Sequence, residues 1–309
     1  KKLNTFNLPD SSIVDGSENF NTVPYTGDGA TSQNITGTGF TPDFVWIKNR
    51  TLGDDHVLQD SVRGVGINST LMSNTTNAEG SSYSTPYGYV SALNTNGFSV
   101  AKGTDSTYGN RWVNENSSNY AAWNWKAGGT AVSNTDGDIA SSVSANTTAG
   151  FSVVTYSGTN SASTIGHGLG DAPKFIIVKT RSGVENWNVY HASLGNTGLS
   201  YLNLTNAAIS GVGTWNSTSP TSSVFSVTGN NLGVNQSGQT YVAYCFADAE
   251  GYSKFGSYPG NGSADGTFVY TGFRPAYVMM KCSSDAGGWY PLDATRDIDN
   301  PTVLYLAAN

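Results

Sequence analysis

The sequence is poor in charge: Asp, Glu, Lys and Arg make up 12% of it, the formal net charge is −7, and no Lys/Arg cluster exceeds two or three residues. This excludes a basic patch for nucleic acid or an anionic membrane. Cysteine is nearly absent. Cys245 and Cys282 are too few to staple a small secreted domain and read as two buried thiols in strands. Long apolar runs are missing, stretches such as Phe175–Val178 being of strand length, so nothing is expected to insert in a membrane. The three histidines, His56, His167 and His191, have no Cys or His partner at zinc-like spacing, so no metal site is expected. No segment sustains a 3.6-residue period, so very little helix is expected. The chain also begins Lys1-Lys2, without Met or an apolar leader core. The expectation is that an N-terminal piece has been removed or that the sequence belongs to a longer chain.

What is abundant is turn and strand chemistry. There are 37 Gly, 17 Tyr and 7 Trp amid Asn, Ser and Thr, the composition of many short strands joined by exposed turns. Three segments repeat: Tyr25-Thr26-Gly27 with Pro42 and Lys48, Tyr156-Ser157-Gly158 with Pro173 and Lys179, Tyr258-Pro259-Gly260 with Pro275 and Lys281. Tyr precedes Pro by 17 residues and Lys follows it by 6 in each. His56, Trp187 and Trp289 lie 14 residues after their Pro, and Asp60, His191 and Asp293 lie 18 after. Further on, Phe98 matches Phe225, and Tyr120–Trp125 matches Tyr241–Phe246. Coincidence at several fixed spacings marks an internal repeat.

The expected fold is all-β: tandem antiparallel jelly-roll-like β-sandwich repeats. The divisions are an N-terminal arm at 1–19, repeat 1 at 20–128, a Ser/Thr/Asn-rich linker at 129–148, repeat 2 at 149–253 and an incomplete repeat 3 at 254–309. Repeat 1 should hold strands near 20–25, 32–36, 43–48, 56–60, 68–72, 88–93, 97–101 and 119–125. The strand after each Pro is apolar on both faces, Phe44 and Trp46 pointing one way and Val45 and Ile47 the other. Tyr305–Asn309 corresponds to the region of Tyr201–Asn206, halfway through a repeat. The missing half is expected from protein outside this sequence, as further chain or as strands lent by a neighbouring subunit.

The segments Gly39-Phe40-Thr41-Pro42-Asp43-Phe44-Val45-Trp46-Ile47-Lys48, Asp60-Ser61-Val62-Arg63-Gly64, Ala122-Trp123-Asn124-Trp125-Lys126-Ala127 and Ile165-Gly166-His167-Gly168-Leu169-Gly170 resemble a domain of marine tailed-phage structural proteins. That resemblance covers nearly all of residues 20–309 and implies concanavalin A-like, lectin/glucanase-type sandwiches in a virion or tail-fibre protein. It brings no catalytic or sugar-contact residue with it.

The chemistry on offer is thin. Asp54-Asp55-His56 and Asp248-Ala249-Glu250 bring carboxylates together, but the Glu-X-Asp-X-X-Glu strand of sandwich-fold glucanases is absent and the acids do not recur between repeats. No catalytic residue is therefore assigned, and the chain reads as a non-enzyme. Asp136-Gly137-Asp138 and Asp297-Ile298-Asp299 read as turn acids. They make Ca2+ the one conceivable cofactor, and none is assigned. Lys48, Lys179 and Lys281 read as strand-end lysines whose stems cover apolar surface. Trp187 and Trp289, with His56 at the same repeat position, are the candidate ligand-binding residues, because an aromatic face stacks on a sugar or anchors an interface. The functional expectation is a virion fibre or surface-decoration protein, extracellular, homo-oligomeric, meeting other virion subunits and a host-surface glycan. The alternatives are a carbohydrate-active enzyme or its accessory binding module, and a subunit of a bacterial extracellular filament.

Overall fold

The computed structural model describes residues 13–299 and 304–309. Most of the expected N-terminal arm lies outside these. Among the described residues, helix is confined to single 3-10 turns at Gly16–Glu18, Ile67–Ser69 and Ala192–Leu194, and the rest of the regular structure is antiparallel sheet.

The first repeat supplies β1 (Phe20–Thr26), β2 (Ser32–Thr36), β3 (Phe44–Asn49), β4 (Val57–Asp60), β5 (Tyr89–Asn94), β6 (Gly97–Ala101) and β7 (Asn119–Trp125). They form a four-stranded sheet in the order β1-β7-β3-β4 and a three-stranded sheet β2-β6-β5. The expected strand at 68–72 is instead the turn Ile67–Ser69 and a single bridge from Leu71 to Leu58, because Leu71 is drawn into the core beside β4. At the start of β6 only glycine fits: Gly97 has φ +150°, and a Cβ there would lie 1.9 Å from the Ile35 carbonyl oxygen.

The second repeat supplies β8 (Val132–Asn134), β9 (Ser141–Asn146), β10 (Phe151–Ser157), β11 (Ser163–Gly166), β12 (Phe175–Thr180), β13 (Asn188–His191), β14 (Ser200–Tyr201), β15 (Val224–Val227) and β16 (Thr240–Phe246). β14-β13-β12-β16-β10-β9-β8 is one sheet and β11-β15 another. The expected 129–148 linker is thus corrected: β8 and β9 lie within it and extend the sheet past β10, Val143 contributing to the core. A Ser/Thr-rich composition suits an edge strand as well as a linker, and pairing partners decide between them.

The pairing recurs between repeats. Tyr25 faces Tyr120 and Phe44 faces Trp125 in the first, while Tyr156 faces Tyr241 and Phe175 faces Phe246 in the second. The glycines before the three repeat prolines, Gly39, Gly170 and Gly272, all have φ between +80° and +88°. Among its described residues the third repeat contributes β17 (Tyr277–Lys281) and β18 (Trp289–Asp293), a two-stranded sheet.

Strand alternation explains the doubly apolar β3 and β12. Val45 and Ile47 pack with Ile35, Val90, Phe98 and Val100 in a core shared by the two sheets of the first repeat. Ile176 and Val178 pack with Ile165, Phe225 and Val227 in the second. The opposite faces, Phe44, Trp46 and Trp123 from the first repeat and Phe175, Ile177 and Tyr244 from the second, meet in a third, central core. Tyr277, Met279 and Trp289 of the third repeat join it, so that face of β17 is covered, while Val278 and Met280 are 39% and 36% exposed on the other. Cys245 is buried as expected, but Cys282, just past the end of β17, is exposed.

Candidate functional site

Trp187, Trp289 and His56 do not face solvent. They are 0%, 5% and 1% exposed, and each donates a hydrogen bond into another repeat. Trp187 Nε1 donates to the carbonyls of Met72 (2.9 Å) and Thr75 (3.1 Å), and Trp289 Nε1 donates to that of Tyr201 (2.9 Å). His56 Nδ1 accepts from Trp46 Nε1 at 2.8 Å, which puts the ring proton on Nε2, 2.8 Å from the Ala307 carbonyl. Burial lowers the His56 pKa to about 3. The expectation that these residues touch a ligand is corrected accordingly: their aromatic faces are already packed in seams between repeats. Lys179 is also fully buried rather than reaching for solvent, its ammonium held by the carbonyls of Thr76, Thr180 and Gly183.

One surface of the first repeat sets exposed aromatic faces beside an ion pair. β3 ends at Asn49, whose Nδ2 donates to Asp54 Oδ2 at 3.0 Å; Asp54 Oδ1 meets Arg111 Nε at 2.6 Å. Asp54 is buried at 7% exposure whereas the Arg111 side chain is 43% exposed, so the pair is anchored at one end and open at the other. Burial pushes the Asp54 carboxyl above its ordinary pKa, against the pull of Arg111 and Lys48. Asp55 next to it accepts from Asn74 Nδ2 and, at 2.9 Å, from the Tyr83 hydroxyl. That hydrogen bond, together with partial burial, raises the Tyr83 pKa.

Two loops complete the surface. Tyr83 and Tyr87 pack on the nearly buried Trp112, ring centroids 6.1 and 4.9 Å away. Tyr108 lies under the Arg111 guanidinium, 5.9 Å from ring centre to Cζ. Asp105 Oδ1 accepts from the amides of Thr107 and Tyr108 at 2.8 and 2.7 Å and fixes the turn that carries this ring. Tyr83 and Tyr108 are 48% and 53% exposed.

The same scaffold in the second repeat keeps one acid but neither the cation nor the indole. Counting from Tyr120 and Tyr241, Arg111 and Trp112 correspond to Leu232 and Gly233; counting from Pro42 and Pro173, Asp54 and Asp55 correspond to Glu185 and Asn186. Residues 15–309 match a family described as a domain of unknown function, DUF7483. The chain belongs to that family. No curated protein and no solved structure matches it.

In this DUF7483 chain the chemistry of the site therefore rests on its geometry. Exposed tyrosine faces beside a cation and an acid–amide cluster suit a neutral polar ligand with C–H faces and hydroxyls. Both carboxylates are already engaged, Asp54 by Arg111 and Asn49 and Asp55 by Asn74 and Tyr83. Among the described residues no group of three His, Cys, Asp or Glu side chains is arranged to hold a metal ion, and no helix is long and apolar enough to cross a membrane. Sequence reasoning passed over Tyr83, Tyr108 and Arg111. The available signal was aromatic and cationic residues concentrated where the repeats diverge.

Proposed function

We propose that the protein is a non-enzymatic attachment protein of a virion, built from lectin-like β-sandwich repeats, that binds host-surface carbohydrate through Tyr83, Tyr108 and Arg111. The observation that carries the carbohydrate part is the pair of half-exposed tyrosines flanking the Asp54–Arg111 ion pair, whose arginine corresponds to Leu232 in the second repeat. Side chains that differ between copies of one scaffold are free of the packing role that the copies share, so their clustering on one surface favours a binding role. The sandwich reading draws on the shared buried core between each repeat's two sheets. The resemblance to tailed-phage structural proteins supports the virion setting.

Glycan-array binding of the purified chain tests the reading. Wild-type protein is expected to retain specific glycans without releasing reducing ends, and Tyr108→Ala to weaken retention roughly fivefold to tenfold, in line with loss of one stacking face. Equal retention by wild type, Tyr83→Ala and Tyr108→Ala would remove the site, and turnover of a bound glycan would favour the enzyme alternative.

A further inference from the structure

Equivalent residues join the three repeats head to tail through the same hydrogen bonds. Asn74, Asn203 and Asn309 each accept, through Oδ1, the backbone N–H of the residue 14 after their own repeat's Pro: His56 (3.2 Å), Trp187 (2.9 Å) and Trp289 (2.7 Å). Two residues before each of these asparagines, the carbonyls of Met72, Tyr201 and Ala307 accept from Trp187, Trp289 and His56 of the next repeat round. The first repeat thus receives the second, the second receives the third, and the third receives the first.

Two of these seams carry a second set of bonds. Thr76, two residues past Asn74, offers its carbonyl to Glu185 N (3.0 Å) and Lys179 Nζ (3.1 Å), and Glu79 N donates to the Arg181 carbonyl at 2.8 Å. Thr205, two residues past Asn203, offers its carbonyl to Gly287 N (2.8 Å) and Lys281 Nζ (2.9 Å), and Ala208 N donates to the Ser283 carbonyl at 2.9 Å. The incoming segments read Thr76-Asn77-Ala78-Glu79 and Thr205-Asn206-Ala207-Ala208. In the seam of the first repeat on the third, the corresponding groups are the Asp54 N–H, Lys48 Nζ and the Arg50 carbonyl. Among the described residues nothing meets the Asp54 N–H or the Arg50 carbonyl, and Lys48 Nζ reaches only the Asp54 carbonyl. Open space adjoins this strip: Arg50 and Thr51 line a pocket of about 220 Å3 together with Arg296, Leu304, Tyr305 and Leu306.

We infer that the strip Lys48–Arg50–Asp54 is a peptide-recognition site that takes an extended Thr-Asn-Ala segment. The Thr carbonyl of that segment accepts from Asp54 N–H and Lys48 Nζ, and the N–H three residues later donates to the Arg50 carbonyl. The two filled seams set the chemistry of the occupant: a backbone carbonyl and a backbone N–H three residues later recur in both with a small Ala between them, and in the first seam Glu79 Oε2 also accepts from Arg181 Nε at 2.6 Å. The site borders the carbohydrate surface at Asp54, of which it uses the backbone and not the carboxylate.

The test extends the 309-residue chain after Asn309 with Leu-Thr-Asn-Ala-Ala, the sequence of Leu204–Ala208, and separately adds the same segment as a capped free peptide at millimolar concentration. Thermal melting and hydrogen exchange at the Asp54 amide are read out. The extended chain is expected to melt several degrees higher, with Asp54 exchange slowed about tenfold or more. Replacing the last Ala of the extension by Pro, which has no N–H for Arg50, is expected to keep the Asp54 protection and forfeit part of the melting gain. Protection by the free peptide as well shows that the site can be filled by another molecule; protection by the extension alone shows that it is filled from the same chain. Asp54 exchange unchanged in both arms would overturn the proposal, and equal melting of the Ala and Pro extensions would overturn the role given to Arg50.

Discussion

Asp60 and Arg63 form a buried ion pair at the seam of the first two repeats, and removing one partner should be far more damaging than removing both. Arg63 Nε meets Asp60 Oδ2 at 2.5 Å with both side chains fully buried. Its Nη1 donates to Glu79 Oε1 and the Ser69 carbonyl at 2.7 Å, and its Nη2 to the Leu58 carbonyl at 3.1 Å and the Tyr244 hydroxyl at 3.2 Å. Tyr244 also donates to Asp60 Oδ2 at 2.8 Å, so the second repeat is tied to both charges. Arg63→Met leaves Asp60 buried without its cation, a loss of about 3–5 kcal/mol. With an unfolding entropy near 2.1 cal/mol/K per residue over a chain this long, about 4 kcal/mol lowers Tm by roughly 6 °C. Adding Asp60→Asn to Arg63→Met should recover part of the loss, giving a coupling of about 1–3 kcal/mol in a double-mutant cycle. Denaturant titration of wild type, both single variants and the double measures it. An Arg63→Met cost below about 1 kcal/mol, or additive single losses, would refute the reasoning.

Acid should destabilise the protein through His56. Its folded pKa of about 3 lies below the ordinary 6.5, so the unfolded chain binds the extra proton between those values. Stability then falls as pH drops from 6.5 towards 3, by up to about 1.4 kcal/mol per pH unit from this residue alone. Stability measured against pH in His56→Phe should lack that component of the slope. Trp187→Phe takes the indole N–H from the Met72 and Thr75 carbonyls and Trp289→Phe takes it from that of Tyr201, and each should cost about 1–3 kcal/mol in denaturant unfolding. Trp125→Ala empties part of the central core between Phe20, Phe44 and Phe151 and should cost about 3–5 kcal/mol, read as a fall in melting temperature. Gly97→Ala forces a Cβ onto the Ile35 carbonyl and should give little soluble folded protein on expression.

The sequence by itself determined the local structure. Seven of the eight strands expected in the first repeat lie within one residue of where alternation and turn residues put them. This works because a strand's apolar period of two is written in consecutive residues. The repeat was legible for a similar reason: spacings such as Pro to Lys are counted along the chain, and equivalent residues then pair in equivalent registers. The face of Trp46 and Trp123 was likewise readable as buried, but not what buried it. That Trp187, Trp289 and His56 lie in seams rather than on a ligand surface was decided by the way three repeats pack around one core, a relation between residues as far apart as His56 and Ala307. The strands within 129–148 depended on β10 offering a free edge, and the Tyr83–Tyr108–Arg111 surface on two loops converging at the end of β3. Alternation records whether a residue is buried; which element buries it, and which loops come together, is settled only when non-local contacts form, because no sequence period encodes them.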